Sequence, residues 1–127
     1  MSLSPDKLDR IFELQEKLNL KIGVDPKSMD QQSKMQWLLN YTRAISQELA
    51  ELVDCIPWKW WAKYQKLDLQ NARVEVVDLL HFLISTAQLL GMTPDDLFEA
   101  YSKKHLVNIQ RIEGGYHYKD EEDCRHI

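Results

Sequence analysis

Between Val74 and Leu90 almost every position is apolar, and the two charges in that stretch, Glu75 and Asp78, are both acids. Val74, Val76, Val77, Leu79, Leu80, Phe82, Leu83, Ile84, Ala87, Leu89 and Leu90 cover nearly the whole circumference of a helix running from about Ala72 to Leu90. A helix apolar all round is expected at the centre of a fold rather than at its edge. A carboxylate carried there needs a partner, because an unpaired buried charge is strongly unfavourable.

A second pair of acids lies in the preceding helical stretch, about Ser33 to Asp54, whose apolar stripe is Leu38, Tyr41, Ile45, Leu49 and Leu52. At about 100° per residue, Trp37, Tyr41, Ala44, Glu48 and Glu51 line one flank of that stripe. Residues three apart share a helix face, so Glu48/Glu51 and Glu75/Asp78 each present two carboxylates to one point. Two such helices side by side concentrate four negative charges, which calls for hard divalent cations with oxygen ligands, Mg²⁺ first and Mn²⁺ as a substitute. Acids at this spacing also arise by chance in helical proteins. The rival for Glu75 and Asp78 is a buried salt bridge to Arg43, Arg73 or Lys104.

The remaining punctuation is helical. Ser4-Pro5-Asp6 reads as a cap, a proline at the first helical position and an early acid, followed by Leu8, Ile11, Phe12, Gln15 and Leu18 at helical spacing. Asn19 to Gln32, with Gly23 and Pro26, reads as a loop. Pro57 ends the second helix, and Trp58-Lys59-Trp60-Trp61-Ala62-Lys63 is expected to form a short connecting helix. Gly91 ends the third, and Thr93-Pro94-Asp95-Asp96 caps a fourth on which Leu97, Tyr101, Lys104, Asn108 and Arg111 form a stripe. The expectation is an all-α bundle of four main helices plus that connecting helix. At 127 residues one domain is expected over the whole chain, with 117–127 as a flexible acidic tail.

Net charge and cysteine usage narrow the partners. A net charge of −4 argues against a nucleic-acid ligand, which needs a basic surface. Cys55 and Cys124 form no Cys-x-x-Cys, which suits free thiols in a reducing cytoplasmic setting. The start lacks a signal-peptide pattern, and the most apolar run carries Glu75, Asp78, His81 and Gln88, too polar for a lipid-facing span of about 20 residues. A soluble protein with no membrane partner is expected.

Three further features admit two readings each. His81 follows Asp78 by three, as in carboxylate-bridged di-iron bundles, but such bundles need two of these units, so a core histidine bonded to Asp78 or a backbone carbonyl is preferred. Trp58, Trp60 and Trp61 suit packing or a subunit contact, whereas Lys59 among them could meet a phosphate. Trp37 is either core or a stacking platform. From Trp37 to Glu48 a helix rises roughly 16 Å at ~1.5 Å per residue, about the length of a nucleoside triphosphate.

Leu14-Gln15-Glu16-Lys17-Leu18-Asn19, Glu48/Glu51, Pro57-Trp58-Lys59-Trp60-Trp61, Glu75/Asp78 with His81-Phe82, and Tyr101-x-x-Lys104-x-x-x-Asn108-x-x-Arg111 leading to Gly115-Tyr116 together resemble the all-α, dimeric dUTPases, relatives of the MazG-like nucleotide pyrophosphatases. The resemblance implies a homodimer that hydrolyses dUTP to dUMP and pyrophosphate by metal-activated water. It implies that Glu48, Glu51, Glu75 and Asp78 hold Mg²⁺, with Glu48 also accepting the proton of the attacking water. Gln15, Asn19, Trp37 and Asn108 match positions that handle base and sugar, and Lys59, Lys104, Arg111 and Tyr116 match positions near the phosphates. Larger members carry an additional helical segment before the last stripe; here only Gly91-Met92-Thr93-Pro94 intervenes, so this chain is similar to a reduced form. The alternatives are a broad-specificity MazG-like pyrophosphatase for other or damaged nucleotides, and a helical interaction module without chemistry.

Overall fold

The computed structural model describes residues 6–114, 124, 125 and 127. Four α-helices follow one another: α1, Lys7–Lys21; α2, Gln31–Asp54; α3, Leu69–Leu89; and α4, Pro94–Glu113, with a single 3-10 turn at Pro26–Ser28 between the first two. No strand occurs among the described residues. The fold is all-α. Among the described residues no single helix is long and apolar enough to cross a membrane. The chain divides into two compact units at Gly91, the first holding α1 to α3 and the second α4.

Each helix begins on a side chain that can satisfy its orphan amides. Asp6 accepts from the Asp9 amide, Asp30 from Ser33 and Asp68 from Asn71, at 3.0, 2.8 and 3.0 Å. Thr93 and Asp96 form a reciprocal capping box at α4. Asp6, not Ser4, is therefore the cap of α1; a carboxylate there also favours the positive end of the helix dipole. Ser4 and Pro5 lie outside the described residues. At Gly23 and Gly91, φ is +86° and +80°, a backbone region that residues with a Cβ rarely adopt, and both glycines follow a helix end.

In the first unit α3 packs against both α2 and α1. The α2–α3 junction is held by a small clip. The Asp68 amide donates to the Cys55 carbonyl at 2.8 Å, Asn71 Nδ2 donates to Cys55 Sγ at 3.1 Å, and that thiol donates to the Glu51 carbonyl at 3.3 Å. Since Cys55 lies one turn after Glu51 and Asn71 one turn before Glu75, the clip sets those two acids opposite each other. Further along, Tyr41 of α2 stands over Phe82 of α3 at 6.4 Å between ring centroids, so the two helices run antiparallel. Both cysteines are free thiols.

Two expectations fail here. No helix forms at Trp58–Lys63, where the chain runs through turns, bends and irregular backbone. Pro57 lacks the amide to continue α2, and side chains take over the local hydrogen bonds: Gln65 Oε1 accepts from the Lys59 amide at 2.7 Å, and Trp58 Nε1 donates to Asp54 at 3.2 Å. Trp58 and Trp60 each meet Trp61 edge to face. Nor is α3 covered all round. Its core side chains are Glu75, Ile84, Ser85, Ala87 and Leu89, whereas Val76, Val77, Leu80 and Leu83 are 40–56% exposed. Two neighbouring helices, α1 and α2, can cover only part of a helix circumference.

Candidate metal centre

Carboxylate oxygens of Glu48, Glu51 and Glu75 lie within 4.8 Å of one another, where α2 and α3 face each other. Glu75 is buried, Glu48 half-buried and Glu51 exposed, so the group opens from the helix interface to solvent. Oε2 of Glu48 and Oε2 of Glu75 are both shut away from water and have no hydrogen-bond partner. An orphaned buried oxygen is costly, and two side by side on like-charged groups are more so. The expected rival does not account for them. Among the described residues no ion pair joins Glu48 or Glu75 to Arg43, Arg73 or Lys104, and the pairs Arg10–Glu13 and Lys17–Glu13 lie within α1.

The titration of these acids reflects the same repulsion. The Glu48 carboxyl is held above its ordinary value, first by the adjoining Glu75 carboxyl, then by burial and the charges of Glu75 and Asp78, with the neighbouring Glu51 partly offsetting this. Glu51 is raised by its hydrogen bond with, and repulsion from, Glu48. Two raised carboxyls beside a third acid are the signature of a group short of positive charge. A divalent ion bound by oxygen ligands fits these residues, because it would satisfy the two orphaned oxygens and remove the repulsion together. Asp78, one turn beyond Glu75, is half-buried and outside the three-acid group, although its charge bears on Glu48.

A second polar cluster sits farther along α3. Gln15 Nε2 donates to Asn19 Oδ1 at 3.0 Å, and Asn19 Nδ2 donates to Ser85 Oγ at 3.1 Å. Ser85 Oγ donates to the His81 carbonyl at 2.9 Å, and His81 Nδ1 lies 2.6 Å from Gln15 Oε1. Gln15, Asn19 and Ser85 are buried. Burial also pushes the Tyr41 hydroxyl up, offset in part by a hydrogen bond with Ser85. The histidine is not the core residue the sequence suggested: it is exposed, and its partner is Gln15 rather than Asp78. Ser85 was missed by reasoning from sequence. The signal was present, because Glu75, Asp78, His81, Ser85 and Gln88 recur at offsets of three and four, a polar stripe along an apolar helix.

The other expected residues are dispersed. Half-buried Trp37 lies 5.6 Å from Tyr41, centroid to centroid. Lys59 Nζ stands 5.5 Å over the Trp58 ring. In the second unit, Lys104 Nζ donates to Cys124 Sγ at 2.7 Å and holds that thiol below its ordinary range, while Arg111 is buried and Asn108 exposed. Tyr116 lies outside the described residues.

A family model described as dUTPase matches residues 7–89, well over half of the chain. The chain belongs to the dUTPase family. The match spans α1 to α3, with the three-acid group and the Gln15–Asn19–Ser85–His81 cluster inside it, and stops before α4. Membership makes the chain an enzyme of the dUTP diphosphatase type, with a nucleotide substrate and dependence on a divalent metal. Searches of curated proteins and of solved structures return no match.

Proposed function

We propose that this dUTPase-family enzyme hydrolyses dUTP to dUMP and pyrophosphate, using Mg²⁺ held by Glu48, Glu51, Glu75 and Asp78. The observation that carries the reading is the pair of buried, partnerless oxygens on Glu48 and Glu75 within a three-acid group. When bound, the ion shields the polyphosphate and acidifies water at the site. Glu48 is the proposed proton acceptor: it sits between the buried Glu75 and the exposed Glu51, where a carboxylate can reach solvent and substrate together. Gln15 and Asn19 are proposed to bind the base and Trp37 to stack on it or on the sugar, with Asn108 also handling base or sugar. Lys59, Lys104, Arg111 and Tyr116 are assigned to the phosphates, with Arg111 the strongest by its bidentate geometry.

The assembly proposed is a homodimer in which a second copy covers Val76, Val77, Leu80 and Leu83. Such a contiguous apolar strip on the central helix is costly to leave in water, and a two-fold contact satisfies it with one surface. Sedimentation of the wild type and of Leu83→Glu tests this; a wild type sedimenting as a monomer refutes it. The catalytic reading is tested by pyrophosphate release from dUTP, dTTP, dCTP, dATP, dGTP and UTP, with Mg²⁺ and after chelation. Turnover confined to dUTP and abolished by chelation is the expected result. Comparable rates across the panel would overturn the specificity, and metal-independent turnover would overturn the mechanism.

A further inference from the structure

The hydrogen-bonded cluster linking α1 and α3 has a direction, and that direction can be read from its one backbone member. The His81 carbonyl can only accept, so the Ser85 hydroxyl spends its single proton on it. Ser85 Oγ has only lone pairs left for its other neighbours, the Tyr41 hydroxyl and Asn19, so it accepts from Asn19, which turns Nδ2 of Asn19 toward Ser85 and Oδ1 toward Gln15. Gln15 in turn gives Nε2 to Asn19 and is left with Oε1 toward His81. His81 Nδ1, 2.6 Å away, must therefore carry a proton. The relay is closed at both ends by α3 and leaves neither amide free to flip.

We propose that His81 and Ser85 are positioning residues that lock the amide sense of Gln15 and Asn19 and thereby decide uracil against cytosine. This rests on the reading that Gln15 and Asn19 meet the base. Uracil offers an N–H flanked by carbonyl oxygens, whereas cytosine offers a ring nitrogen acceptor beside an amino donor. An amide of fixed sense matches one of these edges and opposes the other; a freely flipping amide accepts both. In Gln15 the second lone pair of Oε1 and the second proton of Nε2 remain for the ligand, in an order dictated by His81. Burial matters here, because water cannot repair a mismatched donor inside the helix interface.

Two near-isosteric substitutions separate this role from mere packing. His81→Asn keeps a donor close to the Nδ1 position, whereas His81→Asp supplies only an acceptor and pulls the Gln15 amide the other way. The ratio of kcat/KM for dUTP over dCTP is expected to fall by about tenfold or more in His81→Asp, chiefly through KM, and to stay within about threefold in His81→Asn. Ser85→Ala, which frees the other end, should lower the ratio by a smaller factor. An unchanged ratio in His81→Asp and Ser85→Ala overturns the proposal, and so does an equal fall in His81→Asn.

Long-range ¹H–¹⁵N correlation of the wild-type imidazoles tests the relay without turnover. Neutral His81 is expected as the Nδ1–H tautomer, and that form should be lost in Gln15→Ala. An Nε2–H tautomer in the wild type refutes the relay even if the variants fail to fold. A wild type that hydrolyses no dUTP, with the Nδ1–H tautomer present, would instead refute the base-binding reading.

Discussion

The two halves of the polar stripe on α3 stand in opposite states. Toward the N-terminus, Glu75 meets Glu48 and Glu51 in a group with two buried oxygens unsatisfied and two carboxyls raised. Toward the C-terminus, Ser85 and His81 meet Gln15 and Asn19 in a relay whose members all have partners. Both lie on one helix, against the same kind of apolar packing. The difference separates a site that needs a charge from outside from one whose hydrogen bonds are supplied by the fold: the first is incomplete without a cation, and the second is pre-organised without a ligand.

The sharpest break in that contrast is a carboxylate-to-amide change at the unsatisfied end. Glu75→Gln should lower pyrophosphate release from dUTP by on the order of a thousandfold. Its metal-free melting temperature should equal or exceed that of the wild type, because a repulsive charge is removed. A variant with near-normal turnover would show that Glu75 does not serve the metal.

Next in size is the response to metal and pH. Saturating Mg²⁺ at about 100 times its dissociation constant should stabilise the fold by about 2.7 kcal/mol, read as a rise in melting temperature that chelation reverses. Glu48 and Glu51 are raised in the fold above the ordinary 4.5. Their contribution to metal-free stability is therefore intact below that value and lost as pH climbs through their raised values. Metal affinity should run the other way, strengthening as pH rises and the competing protons leave. Melting temperatures between pH 4 and pH 8, with and without Mg²⁺, would expose a flat profile if the cluster were not coupled.

At the satisfied end the same kind of change costs stability. Asn19→Ala removes a buried donor and acceptor together, leaving Gln15 and Ser85 short of partners, for a loss of about 1–3 kcal/mol by urea denaturation. The smallest effect belongs to the register clip. Asn71→Ala should cost about 1 kcal/mol through the lost bond to Cys55 Sγ, and a measurable weakening of Mg²⁺ binding would show that the clip also aligns Glu51 with Glu75.

Much of this was legible without coordinates. The four helices and the cap Thr93 follow from local spacing and capping chemistry, which depend on neighbours three or four residues away, whereas the cap of α1 falls on Asp6 and not on the expected Ser4. Trp58–Lys63 misled because its composition suits a turn of helix, while Gln65 and Asp54, outside that stretch, capture its polar groups. His81 was read against its own helix, where Asp78 is the obvious partner; the actual partner is 66 residues away. The exposed face of α3 was invisible for a similar reason, since an all-round apolar sequence states a need for cover without saying what meets it.

Taken alone, the sequence determined that two helices would each carry paired acids on one face, because helical periodicity is a property of consecutive residues. Only the tertiary structure decided that Glu48, Glu51 and Glu75 converge while Asp78 stands off. The same holds for the single sense of the relay from Ser85 to His81. Distances between helices depend on the rotation and register set by packing and by the contacts at Cys55, Asp68 and Asn71, and no spacing within either helix encodes them.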